Sequence, residues 1–199
     1  SSMFTNLISF TLFVVPFSLF AETLDGFIIR QLRVEDFSEI AECGAQTFLN
    51  VYQPDSEYKR NDLIQRYQAR IDAEKQYFLQ HPEMFCLVVT NNEKIIAFFS
   101  VQTTQIPDEL YLRHVFVHPN FQKKGIFKTL LQRTFDFHPK ADCIVLLVNK
   151  HNTNGHTVYE RLGGVRSDTP EWLYLLDATL PKENYIGYKI RRHTLPSAF

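Results

Sequence analysis

Downstream of Gly26 the chain alternates between two hydrophobic periods, and the alternation lays out its elements. Residues 27–32, apolar at Phe27, Ile28, Ile29 and Leu32, read as a first strand. Phe37, Ile40, Ala41, Gly44 and Phe48 recur at helical spacing behind the acids Glu35 and Asp36, which predicts an amphipathic helix over 34–49. Leu63, Ile64, Tyr67, Ile71 and Phe78 mark the face of a second helix within 55–80, closed by His81-Pro82. A hairpin follows, with strands at 85–90 and 95–101 around the polar turn 91–94. The strand expected at 110–117 is broken by His118-Pro119-Asn120. The polar run Gln122-Lys123-Lys124-Gly125 then leads into a helix whose stripe is Ile126, Phe127, Leu130, Leu131 and Phe135. Residues 143–148 form a continuous apolar run fit for a strand buried on both faces. Residues 152–162 are helical and end at Gly163-Gly164, while 172–176 and 185–190 read as terminal strands. The result is an α/β chain with a mixed central sheet flanked by helices, and no internal repeat or linker after Asp25.

Residues 1–25 stand apart as a hydrophobic N-terminal extension to the domain 26–199. No charge precedes Glu22, and Ser1-Ser2 ahead of Met3 has the look of a tag scar. Three readings compete for residues 3–21. A secretory signal lacks its basic start here, and a spanning helix of about 20 apolar residues is interrupted by Ser9, Thr11, Pro16 and Ser18. The third reading is a packed or dimer-forming element. A homodimer or membrane contact through this segment is therefore one expectation.

The 199 residues are ordinary globular in composition, 45% hydrophobic and 22% charged. A formal charge of -1 leaves no cationic excess to displace counterions from nucleic acid, so no nucleic-acid partner is expected. Cys43, Cys86 and Cys143 are too far apart for a disulfide framework or a zinc spacing, so no metal is expected. A cytoplasmic location follows, with membrane association or export as the alternative if residues 3–21 act as an anchor or signal.

Two segments carry candidate chemistry. The turn from Gln122 to Phe127 opens a helix, where free N–H groups and the helix dipole favour a phosphate and Gly125 lets a ligand approach the backbone. The turn fits neither the P-loop nor the dinucleotide fingerprint, and taken alone it reads first as a solvated loop before a core helix. Thirty residues on, Asn152 sits at a helix N-cap after a buried strand, and Tyr159 follows two turns later. Tyr159 reads either as a phenol carried into a crevice or as a half-buried core aromatic.

Together these segments resemble the GNAT superfamily of acetyl-CoA-dependent N-acetyltransferases, over roughly 27–188 and specifically over 110–164. The family's strand ending in Val-x-Pro is matched by Val115-Phe116-Val117-His118-Pro119, and its [QR]-x-x-G-x-[GA] turn by Gln122, Lys123, Lys124, Gly125 and Ile126, with Phe127 in place of the last small residue. The later Asn-x-x-Ala-x-x-aromatic-Tyr-Glu-x-x-Gly-Phe pattern is matched at Asn152, Tyr159, Glu160 and Gly163, with Gly155, Val158 and Gly164 as departures. The resemblance implies a GNAT-like fold and an N-acetyltransferase moving an acetyl group from acetyl-CoA to a primary amine of a small molecule or protein. It implies that Gln122, Lys123, Lys124, Gly125, Ile126 and Phe127 receive the CoA pyrophosphate, with pantetheine beside Phe116 and Val117 and Asn152 as a further cofactor contact. Tyr159 becomes the general acid, and the Val117 N–H the donor that polarises the thioester carbonyl. The base is open: Tyr111 stands where some relatives carry a Glu, which leaves Glu109, on the same strand face if the strand is regular, His114, on the opposite face, and, equally, a water chain or deprotonation before binding. The alternative function is a catalytically idle CoA-binding or protein-interaction module of the same fold, to which the missing Glu and the bulky Phe127 point. On either reading Phe127 is expected to point into the core with Leu130 and Leu131 while its N–H faces the ligand.

Overall fold

The computed structural model describes residues 20–195. Eight strands form one sheet in the order β1-β2-β3-β4-β5-β6-β8-β7. They are β1 (Ala21–Leu24), β2 (Phe27–Gln31), β3 (Phe85–Asn91), β4 (Lys94–Thr103), β5 (Glu109–Val117), β6 (Cys143–Asn149), β7 (Val165–Ser167) and β8 (Tyr185–Arg191). The β5–β6 pair is parallel and the other neighbours are antiparallel. The helices are α1 (Phe37–Tyr52), α2 (Glu57–Gln80), α3 (Ile126–Phe137) and α4 (Thr153–Arg161).

Side chains alternate across the strands, so each face of the sheet collects its own core. On one face Leu87, Val89, Phe99 and Val101 pack with Leu130, Leu131 and Phe135 of α3 and Tyr159 of α4. On the other, Cys86, Val88 and Phe98 pack with Ile40 of α1 and Tyr67 and Ile71 of α2. α1 and α2 approach so closely at Gly44 that a side chain there would overlap the Tyr67 phenol. All three cysteines are buried and unpaired.

The mixed sheet agrees with the sequence reading, with two differences of detail. Residues 172–176, expected as a strand, form a 3-10 turn at Glu171–Leu175 after Pro170; Trp172 and Leu176 are buried and Tyr174 is exposed, a helical spacing in a segment too short to display it. β1, within the stretch taken as an extension, and the short β7 were not foreseen as strands. At the described end of the extension, Ala21–Leu24 pair with β2, and Glu22 makes a two-pronged ion pair with Arg133 of α3. Residues 3–21, on which the signal, anchor and dimer readings rest, lie outside the described residues as far as residue 19. Among the described residues no helix is long and apolar enough to cross a membrane.

The feature that positions everything else is in β5. Val101 pairs with Leu112 but Ser100 pairs with His114, so Arg113 is an extra residue, a β-bulge that bends the strand. β5 and β6 are paired only from Glu109 with Cys143 to Leu112 with Leu146, and beyond that they part while β6 continues against β8 as far as Asn149. The Leu146 carbonyl, where the pairing stops, accepts a 3.0 Å hydrogen bond from the Trp172 indole. A wedge-shaped opening is left between the two central strands.

Candidate active site

The wedge is a crevice lined by Phe48, Tyr52, Tyr67 and Arg70 from α1 and α2, by residues 112–115 and 146–149 of the parted strands, and by Asn152, Tyr159 and Tyr185. It opens to both faces of the sheet. Its lining includes none of residues 109–111 at the start of β5.

The α1/α2 side is organised by a buried carboxylate. Glu74, in the core-facing stripe of α2 and 2% exposed, accepts from Arg113 Nε at 3.0 Å, Arg113 Nη2 at 2.8 Å and Ser100 Oγ at 3.1 Å. The His114 Nε2 atom lies 3.2 Å from its second oxygen. Burial raises this carboxyl, but His114, by its charge when protonated and by its hydrogen bond, and the hydrogen bonds and charge of Arg113 outweigh it and hold Glu74 far below the usual carboxylate range. Arg113 also donates to Gln102 at 2.7 Å and lies 3.8 Å over the Tyr77 ring. Burial lowers His114, against the raising effect of Glu74, so the imidazole is neutral near pH 7. With Nε2 directed at the carboxylate, Nδ1 keeps a lone pair for a proton.

Here the structure corrects an expectation. His114 does not lie on the opposite face from Tyr111: the bulge at Arg113 turns it to the same side, toward α2. Glu109 is on that side as well but at the far end of β5, five residues and roughly 16 Å along the strand. Its carboxyl, raised by burial, neighbours Thr104 and is absent from the crevice lining. Tyr111 packs with Val145 and Trp172, and burial pushes its phenol up to about 12.

Tyr159 enters the crevice from the other face. Its ring packs edge-on to Phe127 at 5.7 Å and against Tyr188 at 5.5 Å. Burial raises its phenol, which is therefore a neutral proton donor at pH 7. Among the described residues its hydroxyl has no hydrogen-bond partner and no buried side-chain polar atom lacks one, so the hydroxyl is open to the crevice. The core reading and the crevice reading of Tyr159 both hold, for different parts of the side chain.

Beyond the mouth of the wedge, the turn before α3 exposes its backbone. Lys123 and Gly125 take left-handed conformations (φ 62° and 77°), and a Cβ at Gly125 would meet nothing within 4 Å. The N–H groups of residues 123–127 have no partner among the described residues, which makes the turn and the first turn of α3 a cradle for an anion. Lys123 and Lys124 are exposed, whereas Ile126 is buried, so its contribution there is its N–H. Phe127 lies on the core side, its ring 6.0 Å from Phe99. The Gln122 side chain is engaged, donating to the Val117 carbonyl at 2.9 Å and accepting from Asn154 at 3.2 Å, which ties the end of β5 to α4. Asn152 caps α4 by accepting from Gly155 N at 3.0 Å.

Strand alternation decides which backbone groups face the wedge. The His118 N–H bonds to the Ile96 carbonyl at 2.7 Å, so the neighbouring Val117 N–H points away from β4, to the open edge. The Phe116 N–H faces β4, and its side chain is buried against Phe98; the wedge receives nothing from Phe116 directly.

A model of the GNAT acetyltransferase family matches residues 45–164, more than half of the chain and all of the crevice lining except Tyr185. The chain belongs to the GNAT family. It is accordingly an acyltransferase. Solved structures of similar fold include the PaiA N-acetyltransferase of Thermoplasma acidophilum in complex with coenzyme A, at 19% identity and a TM-score of 0.64, covering 83% of this chain and 98% of that one. Another is the ribosomal-protein-S18-alanine N-acetyltransferase of Escherichia coli, at 20% identity and a TM-score of 0.53, covering 83% and 93%. A third is a chimera of spermidine N-acetyltransferase from Vibrio cholerae, at 16% identity and a TM-score of 0.54, covering 84% and 96%. Among curated protein sequences none matches the chain.

Within the GNAT frame, sequence reasoning overlooked Arg70, Glu74 and Arg113. Glu74 left a signal: it falls at i+7 from Tyr67 and i+3 from Ile71, a carboxylate inside an apolar stripe. The bulge left one too. Leu110 and Leu112 are apolar at even positions, Val115 and Val117 at odd ones, and the polar pair Arg113-His114 marks the change of phase.

Proposed function

We propose that this GNAT enzyme moves an acetyl group from acetyl-CoA to a primary amine in a single direct transfer. The observation that carries the reading is that a neutral imidazole and a neutral phenol, His114 and Tyr159, enter one crevice from opposite faces of the sheet. The anion cradle at residues 123–127 suits the pyrophosphate of CoA, with Lys123 and Lys124 adding attraction, and the open edge of β5 at Val117 suits the pantetheine arm as an added strand. Asn152 stands on the α4 side of the same path. The acetyl thioester belongs in the wedge, where the Val117 N–H would polarise its carbonyl.

The chain's own groups then manage the protons. His114 Nδ1 takes the proton of the attacking amine nitrogen, oriented by Glu74 at Nε2 as a carboxylate orients a catalytic imidazole. The new C–N bond forms as the C–S bond breaks, and the Tyr159 hydroxyl donates to the departing sulfur. Base and acid act from opposite sides, as nucleophile and leaving group require. Glu109 lies too far along β5 to share in this.

A thermal melt with acetyl-CoA, CoA and ATP tests the cofactor reading. Saturation at ~100 times Kd stabilises by about 2.7 kcal/mol, a shift of roughly 5–10 °C at this size. A shift with both CoA species but not ATP is expected, followed by thiol release from acetyl-CoA in the presence of an acceptor amine. No shift at millimolar CoA overturns the reading; binding without thiol release on any amine leaves the fold as an idle CoA module.

A further inference from the structure

The charges on the acceptor side of the crevice are unequal in what they leave available. Glu74 is fully engaged, both oxygens taken by Arg113, Ser100 and His114. Arg113 is engaged by Glu74 and Gln102. Arg70, one turn before Glu74 on α2, is half-buried in the crevice wall, yet among the described residues it has no carboxylate within 4.0 Å and no hydrogen bond. Burial raises the phenols of Tyr52, Tyr67 and Tyr111, and the charge of Arg70 opposes that rise at all three and depresses His114 further, which sets the guanidinium among these four side chains. Asp177, whose carboxyl is lowered in part by the charge of Arg70, is exposed, and its Oδ1 already accepts from the Thr179 N–H and hydroxyl.

The wall facing the acceptor therefore offers one uncommitted cation and no uncommitted buried anion. We propose that the acceptor is an amine that also carries a carboxylate, and that Arg70 is the specificity residue that holds it while the amine meets His114. A planar guanidinium matches a carboxylate with two parallel hydrogen bonds, and the aromatic walls of Phe48, Tyr52 and Tyr67 keep the pair partly desolvated, which strengthens it. A polyamine finds the opposite: its second ammonium is brought against Arg70. A free amino acid and a peptide bearing an acidic residue share the recognised chemistry.

The inference rests on the acetyl-transfer reading, so the test first establishes acetyl-CoA binding by melt and then compares acceptors on the intact enzyme. The panel is an amino acid, its carboxamide, a peptide with an acidic residue near its N-terminus, and spermidine. The expected result is kcat/KM at least roughly tenfold higher for a carboxylate-bearing acceptor than for the carboxamide or spermidine. Arg70→Gln collapses that ratio to below about threefold, chiefly through KM, and Arg70→Lys restores part of it. Preference for amino acid over acidic peptide, or the reverse, tells the two sources apart. Equal or better turnover of the carboxamide or spermidine overturns the proposal, as does an Arg70→Gln variant that loses activity on all acceptors alike. So does acetyl-CoA binding with no turnover of any carboxylate-bearing acceptor; failure to bind acetyl-CoA instead sinks the acetyl-transfer reading beneath it.

Discussion

Replacing Glu74 by Ala removes the anion that compensates Arg113 and His114 inside the α2–β5 interface. Two arginine hydrogen bonds, at 3.0 and 2.8 Å, and the Ser100 hydroxyl bond at 3.1 Å lose their acceptor. The Arg113 side chain is only 19% exposed, so its charge is left with little water to replace the carboxylate. Breaking one side of such a buried pair costs about 3–5 kcal/mol, which for a domain of this size lowers Tm by roughly 6–20 °C. Glu74→Gln, which keeps an acceptor oxygen without the charge, is expected to fall between. Glu74→Leu with Arg113→Met should be more stable than Glu74→Ala alone, because both charges leave the interior together.

The pH dependence has a definite sign. The folded-state pKa of Glu74 lies below its unfolded value near 4.5, so its stabilisation is complete above that pH and fades as pH falls through the folded value. The gap between wild type and Glu74→Gln in urea titrations should therefore shrink below about pH 4.5. A Glu74→Ala variant that costs less than about 1 kcal/mol, or a double variant weaker than the single, would refute the account of this side of the crevice.

Tyr159→Phe retains the ring packed on Phe127 and Tyr188 and loses only the hydroxyl, so kcat should fall by roughly a hundredfold or more with CoA affinity unchanged, read by thiol release and calorimetry. His114 has its folded-state pKa below the ordinary 6.5, so its contribution to stability is present above 6.5 and eroded as pH falls through the folded value; His114→Gln should flatten that part of the stability profile and remove the acid limb of kcat/KM. Gly125→Glu, at a left-handed position with open space before it, sets a carboxylate at the anion cradle and should weaken CoA binding at least tenfold in the melt assay while a CoA-free melt shows only the backbone strain.

Much of this molecule was legible beforehand because its elements satisfy their own local rules. The Asn152 cap on α4 and the left-handed Gly163 behind α4 sit where propensity places them. The anion cradle was readable for the same reason, since it is a helix start with glycine. Tertiary pairings were not. That Trp172 closes the junction of β5 and β6, that Arg70 has no hydrogen-bond or ion-pair partner among the described residues, and that Gln122 braces Val117 against α4 are facts about which distant segments meet, and periodicity within a segment carries no record of them.

The base shows how a small change of phase alters the chemistry. Held as a regular strand, β5 would turn His114 and Phe116 toward α3 and Val115 and Val117 toward α2, placing an imidazole and a bulky ring where the core already holds Leu130 and Phe135. The apolar residues of both halves can face their own cores only if one residue is left over, and Arg113 is that residue. The same surplus parts β5 from β6, frees the Val117 N–H and delivers His114 to Glu74. The wedge proposed to admit an acyl donor and the imidazole proposed to serve its acceptor therefore have one structural cause, and the tyrosine at 111, lying before the bulge and packed on Trp172, is left outside both.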